Sequence, residues 1–128
     1  MINNPIPKIA DKDIICYKFV VRTANKYIYK SYCKRFEYVI GQLYTNNISI
    51  KDADKIIKHV HALPYLYKYI IREDMFHSYK SISFPVAGLY EDCALLKCII
   101  PEGAYYYLGN FDYTDCYASS QIKILEEI

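Results

Sequence analysis

Apolar positions in the first third of the chain fall in short β-branched or alternating runs, not at intervals of three and four. Residues 14–22 form an apolar run rich in Ile and Val, residues 23–26 supply a turn, and residues 27–32 resume as a partner strand. This pattern predicts a β-hairpin. Residues 36–44 make a third extended piece, with Gly41 as a bulge or kink. The spacing changes after Ser49, where Ala53, Ile56, Ile57, Val60 and Leu63 recur at helical intervals. Ser49 is a good N-cap, Asp52 and Asp54 suit the helix dipole, and Pro64 stops the run. A helix is therefore expected over 49–63 and a second over 83–92, with Pro85 in its first turn. Alternation returns at 65–70 and 75–79. The last third reads as a strand at 95–100, a type I turn over Ile100-Pro101-Glu102-Gly103, and a returning strand at 104–108. A loop at 109–112 and a final strand at 121–125 follow. The expected class is α+β: one domain over 1–128, with an antiparallel sheet of six or seven strands and two short helices. The 49–63 helix is expected to pack across one sheet face, and residues 1–12 to form an extended tail.

Composition changes this picture little. The chain has 128 residues, 53% apolar and 23% charged, with only four Gly and five Pro. That excludes collagenous, low-complexity and disordered classes. Sixteen Tyr and no Trp make it tyrosine-rich, as half-buried strands are. Five cysteines (Cys16, Cys33, Cys93, Cys98 and Cys116) are odd in number and lack framework spacing. With no signal-peptide pattern at the N terminus, they point to reduced thiols and a cytoplasmic setting. No apolar run approaches the length of a membrane helix.

Charge changes it more. The net +2 divides into +7 over residues 1–85 and −5 over residues 86–128. Between Tyr17 and Arg35 stand Lys18, Arg22, Lys26, Lys30, Lys34 and Arg35, with no acid. Such a stretch favours anions, unless it is simply a solvated face or the acidic half neutralises it when the two pack together.

Signatures of chemistry are sparse. His59 and His61, two apart on the expected helix, point to different faces, and Cys93 and Cys98 lack a partner motif. No metal site and no cofactor is expected. His77 and Ser78 are adjacent, so on a strand they face opposite sides. No nucleophile elbow or glycine-rich phosphate loop occurs, and no catalytic residue is assigned. The candidate site is a ligand site for a small anion resembling a nucleotide. Lys18, Arg22 and Arg35 would meet phosphate, with Tyr27, Tyr29 and Tyr32 stacking or donating hydroxyls. His77 and Tyr79 would join from an adjoining strand. Interleaved Tyr and Lys also suit nucleic acid, although the pI of about 8.2 is low for a dedicated binder.

Four fragments carry a resemblance. They are Tyr38-Val39-Ile40-Gly41 with Tyr44; Phe76-His77-Ser78-Tyr79-Lys80-Ser81; Cys98-Ile99-Ile100-Pro101-Glu102-Gly103 with Tyr106, Tyr107 and Gly109; and Tyr117-Ala118-Ser119-Ser120 with Ile122 and Ile124. Together they resemble small accessory proteins of tailed phages and gut bacteria, with phrases like "GFHSYKS", "IPxGxxYY" and "YAS". Met75 stands where that pattern has glycine. The resemblance implies a phage setting and a compact β-rich fold, and no reaction. A fainter likeness is to ADP-ribosyltransferases. It would cast Phe76 and Ser78 as the aromatic-x-Ser phrase and Glu126 or Glu127 as the late glutamate, but Lys18 follows Tyr17 where the family has Arg or His. The expectation is a phage-type, non-catalytic binding module. It would occupy or sequester a host protein or a small anionic ligand, in counter-defence for example, in the cytoplasm of an infected bacterium or within the virion. The alternatives are a transferase-like enzyme, a virion structural or assembly protein forming homo-oligomers, and a nucleic-acid-binding protein.

Overall fold

The computed structural model describes residues 7–31, 36–46, 49, 51, 75–82, 92–111 and 114–128. Apart from Lys51, which is helical, their regular structure is all strand: β1 (Lys8–Ile9), β2 (Ile14–Arg22), β3 (Ile28–Ser31), β4 (Glu37–Val39), β5 (Leu43–Thr45), β6 (Phe76–Tyr79), β7 (Cys93–Ile100), β8 (Tyr105–Phe111), β9 (Thr114–Ser119) and β10 (Gln121–Glu127). They form one ten-stranded sheet in the order β1-β8-β9-β6-β2-β7-β10-β5, with β3 and β4 attached to the edge of β2. Every pairing is antiparallel.

This overturns the expected α+β class with six or seven strands. The helices expected over 49–63 and 83–92 and the alternation at 65–70 lie outside the described residues, apart from Ser49, Lys51 and Asp92. The strand count rises because the 36–44 stretch bends into two strands, and because β1 and β9 form where an extended tail and no strand were expected. The 36–44 stretch divides at Val39-Ile40-Gly41-Gln42, closed by the Gln42 N–H donating to the Val39 carbonyl. Gly41 sits there at φ 88°, a conformation that side chains with a Cβ resist.

The strands expected at 95–100 and 104–108 are both present, but they do not pair with each other, so the expected β7–β8 hairpin is absent. Its turn lies one residue later than expected: Ala104 donates to the Pro101 carbonyl, and Gly103 takes φ 89° at the third position, as in a type II turn. At that corner β7 keeps β2 and β10 as partners, while β8 pairs β1 and β9. The loop expected at 109–112 is strand through Phe111. The 14–22 and 27–32 hairpin is present as β2–β3.

β2 is the hub. One edge pairs β7 along almost its whole length, from Ile14 opposite Ile100 to Val21 opposite Cys93. The other edge is shared, with Tyr17 opposite Tyr79 of β6 and Val20 to Arg22 opposite β3. From this fork, β3 leads to β4, and β7 leads to β10 and β5. The 39–42 turn joins the two ends: the Ile40 N–H donates to the Tyr27 carbonyl and the Gly41 N–H to the Ile124 carbonyl. Strands β2, β3, β4, β5, β10 and β7 thus run around a closed circuit. Inside it pack Cys16, Val20, Tyr29, Tyr38, Leu96, Cys98, Ile100, Ile122 and Ile124. Each fully buried aliphatic side chain contributes about 1.5–3 kcal/mol.

Candidate functional site

The inner face of β2 carries Cys16, Lys18 and Val20 in alternation, and Arg22 ends the row. Lys18 is 8% exposed. It lies at the fork, where the edge of β2 passes from β6 to β3. Its ammonium donates to the His77 carbonyl and sits 5.1 Å from the Tyr38 ring centre. That ring belongs to an aromatic group with Phe36 (4.9 Å), Tyr44 (5.3 Å) and, through Phe36, Phe76 (6.1 Å). The Tyr44 hydroxyl accepts the Val39 N–H, which points away from the β3 ladder. The cation is therefore built into the wall of the fold, with a carbonyl and a π face as its surroundings.

Arg22 lies four residues on, at the mouth of the circuit. A bulge between Ile124 and Glu126 turns Glu127 to the inner face, opposite Leu96. Arg22 Nε meets Glu127 Oε1 at 2.9 Å, and another guanidinium nitrogen, Nη1, donates to the Cys93 carbonyl at 2.7 Å. Tyr29, directly opposite Arg22 on β3, donates its hydroxyl to the Lys26 carbonyl. Burial, then the neighbouring Glu127 carboxylate, pushes its hydroxyl pKa up. At this position the acidic C-terminal half neutralises the basic hairpin.

The expected anion site is thus divided. Lys18 touches His77 through the main chain, and Arg22 joins Tyr29 beside Glu127. Tyr79 lies on the outer face, edge-on to Phe19 at 6.2 Å, and the strand alternation places the His77 side chain on that same face. Tyr27 is 56% exposed, with the Lys26 ammonium 5.0 Å from its ring centre. Tyr32 and Arg35 lie outside the described residues. The transferase-like parts are not gathered in an open cleft. Ser78 is 2% exposed beside the Cys16 sulfur, Glu127 is held by Arg22, and Glu126 stands opposite Lys97.

Two features escaped sequence reasoning. Cys16 and Cys98 stand directly opposite each other on β2 and β7, both fully buried on the inner face. Burial pushes the Cys16 thiol up to about 11, against the lowering effect of Ser78 and Lys18, and raises the Cys98 thiol further. Neither is a ready nucleophile at neutral pH. The second feature is a row on the outer face. Ile15, Ile99, Lys123 and Leu43 follow one another in register across β2, β7, β10 and β5. Ile15 and Leu43 are each 50% exposed. Alternation within β2 marks Ile15 as an outer-face residue, but only the register of four strands reveals the row.

Among the described residues no group of three or more His, Cys, Asp or Glu side chains is placed to hold a metal ion. No helix among them is long and apolar enough to cross a membrane. Comparison with protein-family models, with curated proteins and with solved structures found no match to this chain.

Proposed function

We propose that the protein is a non-catalytic binding module that engages a macromolecular partner through the outer face of its sheet. The observation that carries this reading is the Ile15–Ile99–Lys123–Leu43 row, which holds the Ile15 and Leu43 side chains half exposed on a hydrogen-bonded sheet surface. Exposed apolar side chains set among charged ones characterise association surfaces more than catalytic clefts. Lys97 and Glu126, the next outward pair, would form its polar rim. The placement of Lys18 and Arg22 weighs against a small anion as the main ligand, because both cations are engaged within the fold. The resemblance to phage accessory proteins supplies the setting, with a component of the bacterial host as the partner.

The test uses the tagged full-length protein as bait for host proteins, beside an Ile15→Asp/Leu43→Asp double variant of matched thermal stability. A host protein held in saturable, stoichiometric amounts by the first bait and lost from the second is the expected result. Equal retention by both baits, or turnover of a nucleotide or protein substrate by the purified protein, would overturn the reading.

A further inference from the structure

The structure points to a chemical site separate from the binding face. We propose that Cys16 and Cys98 form a reversible cross-strand disulfide, making the centre of the β2–β7 ladder a modification site for small disulfide oxidants such as oxidised glutathione.

Register brings the two thiols together. From Ile14–Ile100 to Val21–Cys93, β2 and β7 pair without a slip, and Cys16 faces Cys98. The Arg22 N–H donates to the Asp92 carbonyl at 2.6 Å, so residues 22 and 92 fall at a hydrogen-bonded position of the ladder. Counting back by twos makes Cys16–Cys98 a hydrogen-bonded pair as well, with Cα atoms about 5.5 Å apart. That lies within the span of roughly 4.4–6.8 Å that a disulfide bridges, while the Cβ atoms of such a pair stand about 5 Å apart, so the two strands must shift together slightly to close the bond. Both side chains point inward, with no residue between them. Cys93 faces Val21 and Cys116 faces Gly109 and Tyr79, so neither has a thiol opposite it.

Charge favours the same pair. The Lys18 ammonium lies close enough to both sulfurs to favour their thiolate forms, in opposition to burial. At rest burial wins and both thiols stay protonated. When the ladder opens locally, water enters and the burial penalty falls, while the lysine two residues away remains. One thiolate then attacks the oxidant, forming a mixed disulfide and releasing one glutathione thiolate. The other protein thiolate attacks the protein sulfur of that mixed disulfide and releases the second. The protein gives up two protons and two electrons, and one oxidised glutathione becomes two reduced molecules. Closure of the bond on a hydrogen-bonded pair strains it, and strained disulfides are readily reduced.

The test equilibrates the full chain in buffers of varied oxidised-to-reduced glutathione ratio, followed by non-reducing digestion and mass spectrometry. The expected product is a peptide linking Cys16 to Cys98, with two thiols lost and both restored by dithiothreitol. Oxidation should slow amide exchange at the centre of β2 and β7 by about tenfold or more, because the staple suppresses local opening. Cys16→Ser and Cys98→Ser should each abolish the linked peptide while leaving circular dichroism unchanged. Lys18→Met should slow its formation. Three results would overturn the proposal: a linkage to any other cysteine, glutathione remaining on a single sulfur, or both thiols staying free in oxidised glutathione at urea concentrations just below the unfolding transition.

Discussion

Lys18 and Arg22 sit four residues apart on the same face of the same strand, yet they occupy opposite environments. Lys18 lies at the fork, where β6 leaves the edge of β2 before β3 takes it over, and is almost wholly buried. Arg22 lies where the ladder ends; its side chain is 47% exposed and faces a carboxylate. The two cations have similar length and the same charge. What separates them is the sheet around them: the fork leaves a backbone carbonyl for an ammonium to cap, and the mouth leaves a guanidinium in water beside Glu127. Position in the topology, not residue type, decides which cation is structural.

The strongest way to break this comparison is to remove the buried cation. Lys18→Ala should cost about 3 kcal/mol, since it leaves a cavity and takes the ammonium from the His77 carbonyl. Lys18→Met restores the volume and should cost nearer 1 kcal/mol, the hydrogen-bond part alone. Urea denaturation of the two variants beside the unchanged protein measures both. A loss below about 0.5 kcal/mol for Lys18→Ala is what an exposed lysine would give, and it would mean that the fork does not bury this cation.

That buried lysine also marks where sequence reasoning stopped. The 14–22 strand was legible because Ile, Val, Phe and Tyr crowd both of its faces, a pattern that identifies a strand but not its inner side. A lysine in such a run is usually outward and solvated, so Lys18 read as a phosphate ligand. The fork that buries it depends on β6, nearly sixty residues away, and no local pattern encodes that meeting. Gly41 and Gly103 were legible as breaks because positive φ favours glycine. What each break does was not legible, because a turn that returns a strand to its neighbour and one that sends it to a new partner use the same residues. Arg22 had its answer in the charge gradient: besides an anion and plain solvent, acids of the last third were the expected company of the basic hairpin, and Glu127 takes that place at this position.

The second test separates interior from mouth by pH. The Cys16 thiol is shifted from 9.0 up to about 11 in the folded chain, so the fold favours its protonated form. Stability from this group is complete below about pH 9 and is lost as pH rises from 9 towards 11. The loss amounts to about 2 kcal/mol at the upper end. Cys98 and Tyr38 shift in the same direction and extend the decline to higher pH. Urea midpoints measured at several values between about pH 8 and pH 11 should fall steadily, and more shallowly in Cys16→Ser. A flat profile for the unchanged protein would mean that the interior is open to water.

The smallest expected effect lies at the mouth, and it bears on function most directly. An exposed ion pair contributes less than about 1 kcal/mol, because water screens it and two long side chains must be ordered. Arg22→Ala should therefore lower stability by well under the Lys18→Ala loss, and Glu127→Gln by less again. The coupling between them in a double-mutant cycle should be about 0.5 kcal/mol and shrink with added salt. Arg22 also donates to the Cys93 carbonyl, so Arg22→Lys should recover only part of the loss: an ammonium gives a point charge where the guanidinium reaches two acceptors. The same variants measure how firmly the cation is committed to the fold. With Glu127 already on the guanidinium, phosphate or a nucleotide at millimolar concentration should leave the thermal midpoint of the unchanged protein where it is. Glu127→Gln frees the guanidinium from its carboxylate, so a midpoint that rises with phosphate in that variant alone would show that the charge is able to grip an anion and is prevented by its neighbour. A rise in the unchanged protein, lost in Arg22→Ala, would restore the mouth as an anion site and reverse the order of importance of the two cations.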